Sequence, residues 1–292
     1  MVPLYFSALK QHHVGAVEIL AHRVVWSLPI LGLLTLAVVG WRPVVAVFRS
    51  RKLLALMVLS ATLLAVNWLI YIYATVIGRV AEGSLGYFML PLVNAFLGTV
   101  FLGERLRPAH YPALGIIAAG LCVPLAAAGN FPWLAFSLPI TFGLYGFVRK
   151  AMPVDSLTGL TVESLVMLLP AAAYLAYLGP QGHFNQSWGL NGLIMFSGVV
   201  TVAPLLTYIM SIRRLPLVAM SFLQFISPTT QMLIAIFTLG ETPTREEWAA
   251  YVCVWVAVLI FLADAIWQLK QRRATPAPTP QSYPPPSVAL RR

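Results

Sequence analysis

Arg23 and Glu163 each stand inside a long run of otherwise uncharged, apolar residues. A charge buried in such surroundings is costly unless it is paired, so a chain that keeps one marks either a functional site or a fixed ion pair. An offset of 140 residues maps Arg23 onto Glu163. Two-fold-related positions near an axis can meet across it, and the expectation is an Arg23–Glu163 pair or shared polar site. Glu18 and His22 lie at i and i+4 on one helix face, where a carboxylate and an imidazole can relay a proton or simply hydrogen-bond. Glu18, His22 and Glu163 are therefore the candidates for proton or ion coupling.

Uncharged polar groups form a second set. Asn67 and Tyr71 share a helix face, with Trp68 beside them, and Tyr87, Asn94, Tyr145, Tyr208 and Gln224 lie in other apolar runs. Together with Arg23 and Glu163 they would suit a cavity that hydrogen-bonds one end of a ligand and stacks on the other. Taken singly, each could equally be a hydrogen bond between helices. Pro91 and Pro228 each remove a backbone donor and should bend a helix, as hinges or as static kinks. Metal, cofactor and disulfide chemistry are not expected. His12 and His13 are adjacent without further ligand spacing, and Cys122 and Cys253 lie in mid-run. HExxH, GxSxG and GxxxxGK[ST] patterns do not occur, which argues against hydrolase chemistry and direct use of ATP.

The elements that must position these residues follow from composition. Of 292 residues 59% are hydrophobic and 10% charged, against about 25% charged in soluble domains. That excludes a soluble enzyme and leaves an all-α polytopic membrane protein. The uncharged runs predict helices over about 17–39, 53–76, 83–102, 108–128, 132–150, 156–178, 190–212, 217–239 and 247–268. Residues 1–9 are apolar but make only half a span, since a crossing takes about 17–25 residues. The turn chemistry of Gly129-Asn130-Phe131-Pro132 separates two of the spans. Residues 269–292 read as a disordered, Pro-rich, basic tail.

An internal repeat is the most informative pattern. At an offset of 137, Phe88 meets Phe225, Pro91 meets Pro228, and Leu102-Gly103-Glu104 meets Leu239-Gly240-Glu241. At 140, Leu4-Tyr5 meets Leu144-Tyr145 and Lys10 meets Lys150. This predicts two five-helix units, residues 1–128 and 129–268. An odd number of spans inverts the second unit, an arrangement typical of secondary transporters. It also predicts that the first of ten helices is truncated at its N-terminus by about eight residues, relative to its partner starting near Pro132. Glu104 and Glu241 close matching helix ends, where the dipole does not favour an anion, so each calls for a partner. The net charge of +10 is read as membrane orientation and not as nucleic-acid binding. With the N-terminus inside, fifteen Lys and Arg fall in inner segments and three in outer ones, which places both termini in the cytoplasm.

Several segments together resemble the RarD subgroup of the EamA branch of the drug/metabolite transporter superfamily. They are Glu18–Ser27 (EILAHRVVWS), Asn67–Tyr71 (NWLIY), Glu82–Phe88 (EGSLGYF), Gly103–Arg105, Phe142–Lys150 (FGLYGFVRK), Thr158–Glu163 (TGLTVE) and Phe222–Thr229 (FLQFISPT). The resemblance covers about residues 3–267. It implies ten helices in two halves, a bacterial cytoplasmic-membrane location and transport. The expected partners are the lipid bilayer and a small organic metabolite or drug. A membrane-embedded enzyme and a non-transporting sensor or partner subunit are the alternatives left open.

Overall fold

A computed structural model describes residues 2–127, 133–238, 240 and 242–274. Every regular element among them is helical. In chain order these are α1 (Val2–Gln11), α2 (Ala16–Val38), α3 (Arg42–Arg49), α4 (Arg51–Val76), α5 (Val80–Phe88), α6 (Leu90–Leu102) and α7 (His110–Ala127). They continue with α8 (Trp133–Ala151), α9 (Ser156–Leu178), α10 (Trp188–Ile212), α11 (Leu217–Gln224), α12 (Ile226–Phe237) and α13 (Arg245–Ala274). Among the described residues six stretches are long and apolar enough to cross a bilayer: α2, α4, α5 with α6, α9, α10 and α13. Apolar residues such as Leu33, Leu169 and Phe237 lie exposed on the outer surface. A surface of this kind is matched by lipid and not by water.

Local chemistry sets the helix ends. Asp155 caps α9 by accepting the Thr158 N–H at 2.9 Å. Ser187 does the same for α10 through Leu190. Thr244 and Glu247 exchange side-chain and backbone hydrogen bonds as a capping box at the start of α13. Gly103, at φ 65°, ends α6, and Gly240, at φ 71°, lies just beyond α12. That left-handed conformation suits a residue without a Cβ.

The structure departs from the sequence expectations in three places. First, α3 is an extra helix of eight residues, begun by Pro43, that buries Val44 and Val47. It is too short to register as an apolar run and is held by packing on α4 and α9. Second, the spans expected at 83–102 and 217–239 are each broken in two, at Met89 and Phe225. The breaks come two and three residues before Pro91 and Pro228, where a proline ring and its missing N–H disturb the preceding turn. Third, α13 runs to Ala274, six residues into the segment read as tail. The turn at 129–132, Glu241 and the remaining tail lie outside the described residues.

Helix α2 packs on α9 and α10, α4 on α8 and α9, α5 on α8 and α12, α6 on α11, and α7 on α13. One core joins α2, α4, α8, α9 and α10 around Leu31, Leu64, Tyr145 and Ile209. Another joins the broken helices to α7 and α13 around Phe88, Phe225 and Tyr251. The two cores meet where the broken helices face α4, α8 and α10.

Candidate functional site

A cavity of about 630 Å³ lies at that junction, within the range of about 300–1,000 Å³ usual for small-molecule sites. Its wall takes Arg23 from α2, Asn67, Trp68 and Tyr71 from α4, and Tyr87 from α5. Phe142 comes from α8, Thr201 and Tyr208 from α10, Gln224 from α11 and Ser227 from α12. Six of the sequence-expected residues thus border one space: Arg23, Asn67, Tyr71, Tyr87, Tyr208 and Gln224.

Asn67 organises one wall. Its amide donates to the Leu138 carbonyl and to Thr141 Oγ1, both at 2.9 Å, and its Oδ1 accepts from the Tyr87 hydroxyl at 3.0 Å. One buried side chain thereby ties α4 to α8 and α5. Asn67→Leu is expected to lower stability by about 2 kcal/mol, since interhelical hydrogen bonds in membranes are worth about 0.6 kcal/mol each and three are lost. Thermal unfolding in detergent reads this, and an unchanged midpoint would show that the network carries no weight. Aromatic rings continue the wall: Tyr71–Tyr87 at 5.8 Å between centroids, Tyr87–Phe142 at 6.1 Å and Phe142–Tyr208 at 4.8 Å.

Arg23 faces this wall from α2. Its Nε donates to Thr201 Oγ1 at 2.9 Å. The guanidinium lies over the Trp68 ring at 4.3 Å and the Phe6 ring at 5.2 Å.

The expected Arg23–Glu163 pair does not form. Glu163 pairs with Arg149, Nε to Oε1 at 3.4 Å, with both side chains wholly enclosed. Ser60 donates to the same carboxylate, and the Tyr145 hydroxyl does so at 3.4 Å. Glu163 and Tyr145 therefore belong to a separate buried network beside the cavity. Asn94 is likewise buried against Gly143 of α8 and does not border the cavity.

Arg149 is the functional-looking residue that the sequence reading missed. It sits beside Lys150 at the end of α8, where the sequence reads as a pair of charges marking a helix boundary. The available signal was Gly159, whose missing side chain leaves the space that the Arg149 guanidinium fills. Among the wall residues, Thr201, Tyr208 and Ser211 recur on one face of α10 at i, i+7 and i+10, a spacing legible in the sequence but not singled out.

Two polar clusters lie away from the cavity. Glu18 accepts the His183 backbone N–H at 2.7 Å and contacts His183 Nδ1 at 2.8 Å, with His22 Nε2 farther off at 3.8 Å. Phe184 then packs on His22 and Trp26, so the loop after α9 is pinned to α2. Glu104 has the partner its position demanded. It pairs with Lys150 at 2.9 Å and accepts the Leu217 N–H at 3.0 Å. The carboxylate thus closes the N-terminus of α11, where the helix dipole favours it.

No group of three or more metal-ligating side chains exists among the described residues. Broken helices of an apolar-surfaced bundle surround a polar and aromatic cavity, and by its family and relatives this protein is a membrane transporter. The chain belongs to the EamA-like transporter family, whose sequence pattern matches it twice, over residues 3–125 and 132–263, and within that family it is RarD-like. It is 38% identical over 275 residues to Protein RarD of Salmonella typhimurium, covering 93% of each chain. It is also 38% identical over 269 residues to an uncharacterized transporter of Vibrio cholerae, covering 91% of this chain and 88% of that one. A solved crystal structure shares the fold, with a TM-score of 0.64 at 18% identity over 88% of this chain and 93% of the other.

Proposed function

We propose that the chain is a secondary transporter of a small organic metabolite or drug, working by alternating access between two inverted five-helix halves, residues 1–128 and 129–268. The observation that carries this reading is the cavity itself, which draws wall residues from both halves. The pairing of helices supports it. Adding 140 to the bounds of α2 gives those of α9, and adding 137 to α4 gives 188–213 against 188–212 for α10. The same shift takes α5 and α6 close to α11 and α12. Packing follows the exchange: α2 on α10 is matched by α9 on α4, and α5 on α12 and α6 on α11 cross the interface. α1 would correspond to the last half of α8.

The paired breaks at Met89 and Phe225 are the hinges. Phe88 and Phe225 pack as tilted rings across the interface at 5.7 Å, a contact through which movement of one broken helix would reach the other. Glu18 and His22 remain the coupling candidates, whereas the complete enclosure of Glu163 favours a fixed lock. The bacterial relatives support a cytoplasmic-membrane location, and the excess of Lys and Arg in one set of loops supports both termini inside.

The test is flux from liposomes containing the full-length protein and loaded with a broad set of organic metabolites. At least one solute is expected to leave faster than from protein-free vesicles. Pro91→Ala with Pro228→Ala should slow that efflux several-fold while the protein keeps its unfolding midpoint. Absence of flux for every solute, with and without an imposed pH gradient, would sink the reading.

A further inference from the structure

We propose that the cavity takes an organic anion: a carboxylate, or a group of like shape and charge, on a flat apolar body. This rests on the transporter reading and assigns its substrate class. Among the described residues two arginines, Arg23 and Arg149, are buried, and they are treated differently. Arg149 is neutralised by Glu163. Arg23 has no carboxylate within 4.0 Å, and its hydrogen bond to Thr201 uses only Nε, leaving both terminal nitrogens without an acceptor among the described residues.

Arg23 is 6% exposed and still borders the cavity, whose wall holds no Asp or Glu. A lone enclosed cation is expensive, and the face-on rings of Trp68 and Phe6 offset only part of that cost. Those rings also hold the guanidinium plane in place, and the Thr201 bond sets its rotation. What remains is a fixed fork of N–H donors facing a space of about 630 Å³. Such a fork matches the two oxygens of a carboxylate. Beyond it stand Tyr71, Tyr87, Phe142 and Tyr208, which suit a planar body. A cationic solute would meet Arg23 with no compensating carboxylate.

The test uses the full-length protein in detergent and a matched series: benzoate, 3-phenylpropanoate and indole-3-acetate, their neutral amides, and 3-phenylpropylamine. Thermal unfolding and tryptophan fluorescence report binding independently of transport. At least one carboxylate should stabilise the protein, with its amide about ten- to a hundred-fold weaker and the amine silent, since hydrogen bonds to charged groups carry about 1.5–3 kcal/mol. Arg23→Lys should weaken the carboxylate about ten-fold, by keeping charge and losing the fork. Arg23→Met should erase the preference over the amide. If Arg23→Met does not fold, the wild-type preference and Arg23→Lys decide the matter.

The proposal is overturned if no carboxylate binds, if amides or the amine bind equally, or if Arg23→Lys leaves the preference intact. Flux then separates the two claims. Arg23-dependent carboxylate binding without flux of any solute keeps the anion site and removes the transporter reading. Flux confined to neutral or cationic solutes and indifferent to Arg23 does the reverse.

Discussion

Glu163→Leu destabilises the folded protein by about 3–5 kcal/mol, because it leaves the Arg149 guanidinium charged and wholly enclosed. The partners that remain are weak: the carbonyls of Ser156 at 3.3 Å and Asp155 at 3.5 Å, and Met57 Sδ at 3.8 Å. Arg149→Met alone should cost less, since an unpaired Glu163 can protonate and keep its hydrogen bonds to Ser60 and Tyr145. The double substitution should recover most of the loss, as replacing both members of a buried pair by apolar groups usually does. Gly159→Ala should act in the same direction, because its Cβ would occupy the space of the guanidinium. Detergent unfolding of wild type, the two single variants and the double measures the cycle, and Gly159→Ala is read beside it. If Glu163→Leu unfolds like wild type while flux is lost, the pair is not a lock and a proton-coupling role for Glu163 gains the ground.

Gly198→Val separates α2 from α10 and is the second large effect. A Cβ at Gly198 would overlap the Trp26 carbonyl, which is backbone and cannot turn away as a side chain can. Membrane helices approach this closely only where small residues meet, and dispersion at that contact holds them together. Overpacking costs about 1–3 kcal/mol where neighbours can relax, and a backbone-to-backbone clash belongs at the upper end or beyond. The effect reaches the cavity, because Arg23 and Thr201 each lie three residues from this contact and their 2.9 Å hydrogen bond spans the same helix pair. Gly192→Ala on the same helix is the control. Nothing lies within 4 Å of its new Cβ, so its unfolding midpoint should match wild type to within about 0.5 kcal/mol. Equal behaviour of the two variants would show that the close approach has no energetic role.

The cavity wall was partly legible in advance and the ion pairing was not. Asn67, Tyr71 and Tyr87 could be picked out because a polar group in an apolar run is conspicuous whatever it touches. The Arg23–Glu163 pair failed for a geometric reason. Arg23 touches Thr201 of α10, Trp68 of α4 and Phe6 of α1. Glu163 touches Ser60 of α4 and Tyr145 and Arg149 of α8. The two charges therefore face different neighbours, Arg23 toward α1, α4 and α10 and Glu163 toward α4 and α8, and not each other.

The amino-acid sequence by itself determined the class of protein and nearly all of its helices. In a bilayer each backbone donor and acceptor must be satisfied within its own segment, so an uncharged run of sufficient length is already a helix. Its prolines likewise marked where two helices would bend, since the lost N–H is a local fact, but not that each span would divide into two helices. Only the tertiary structure decided which charges are partnered. Arg149 looks like a boundary residue until Gly159 of another helix makes room for it. Arg23 looks like half of an ion pair until α2 turns it toward the cavity. Pairing depends on which faces of separate helices meet, and that is fixed by packing between segments far apart in the chain.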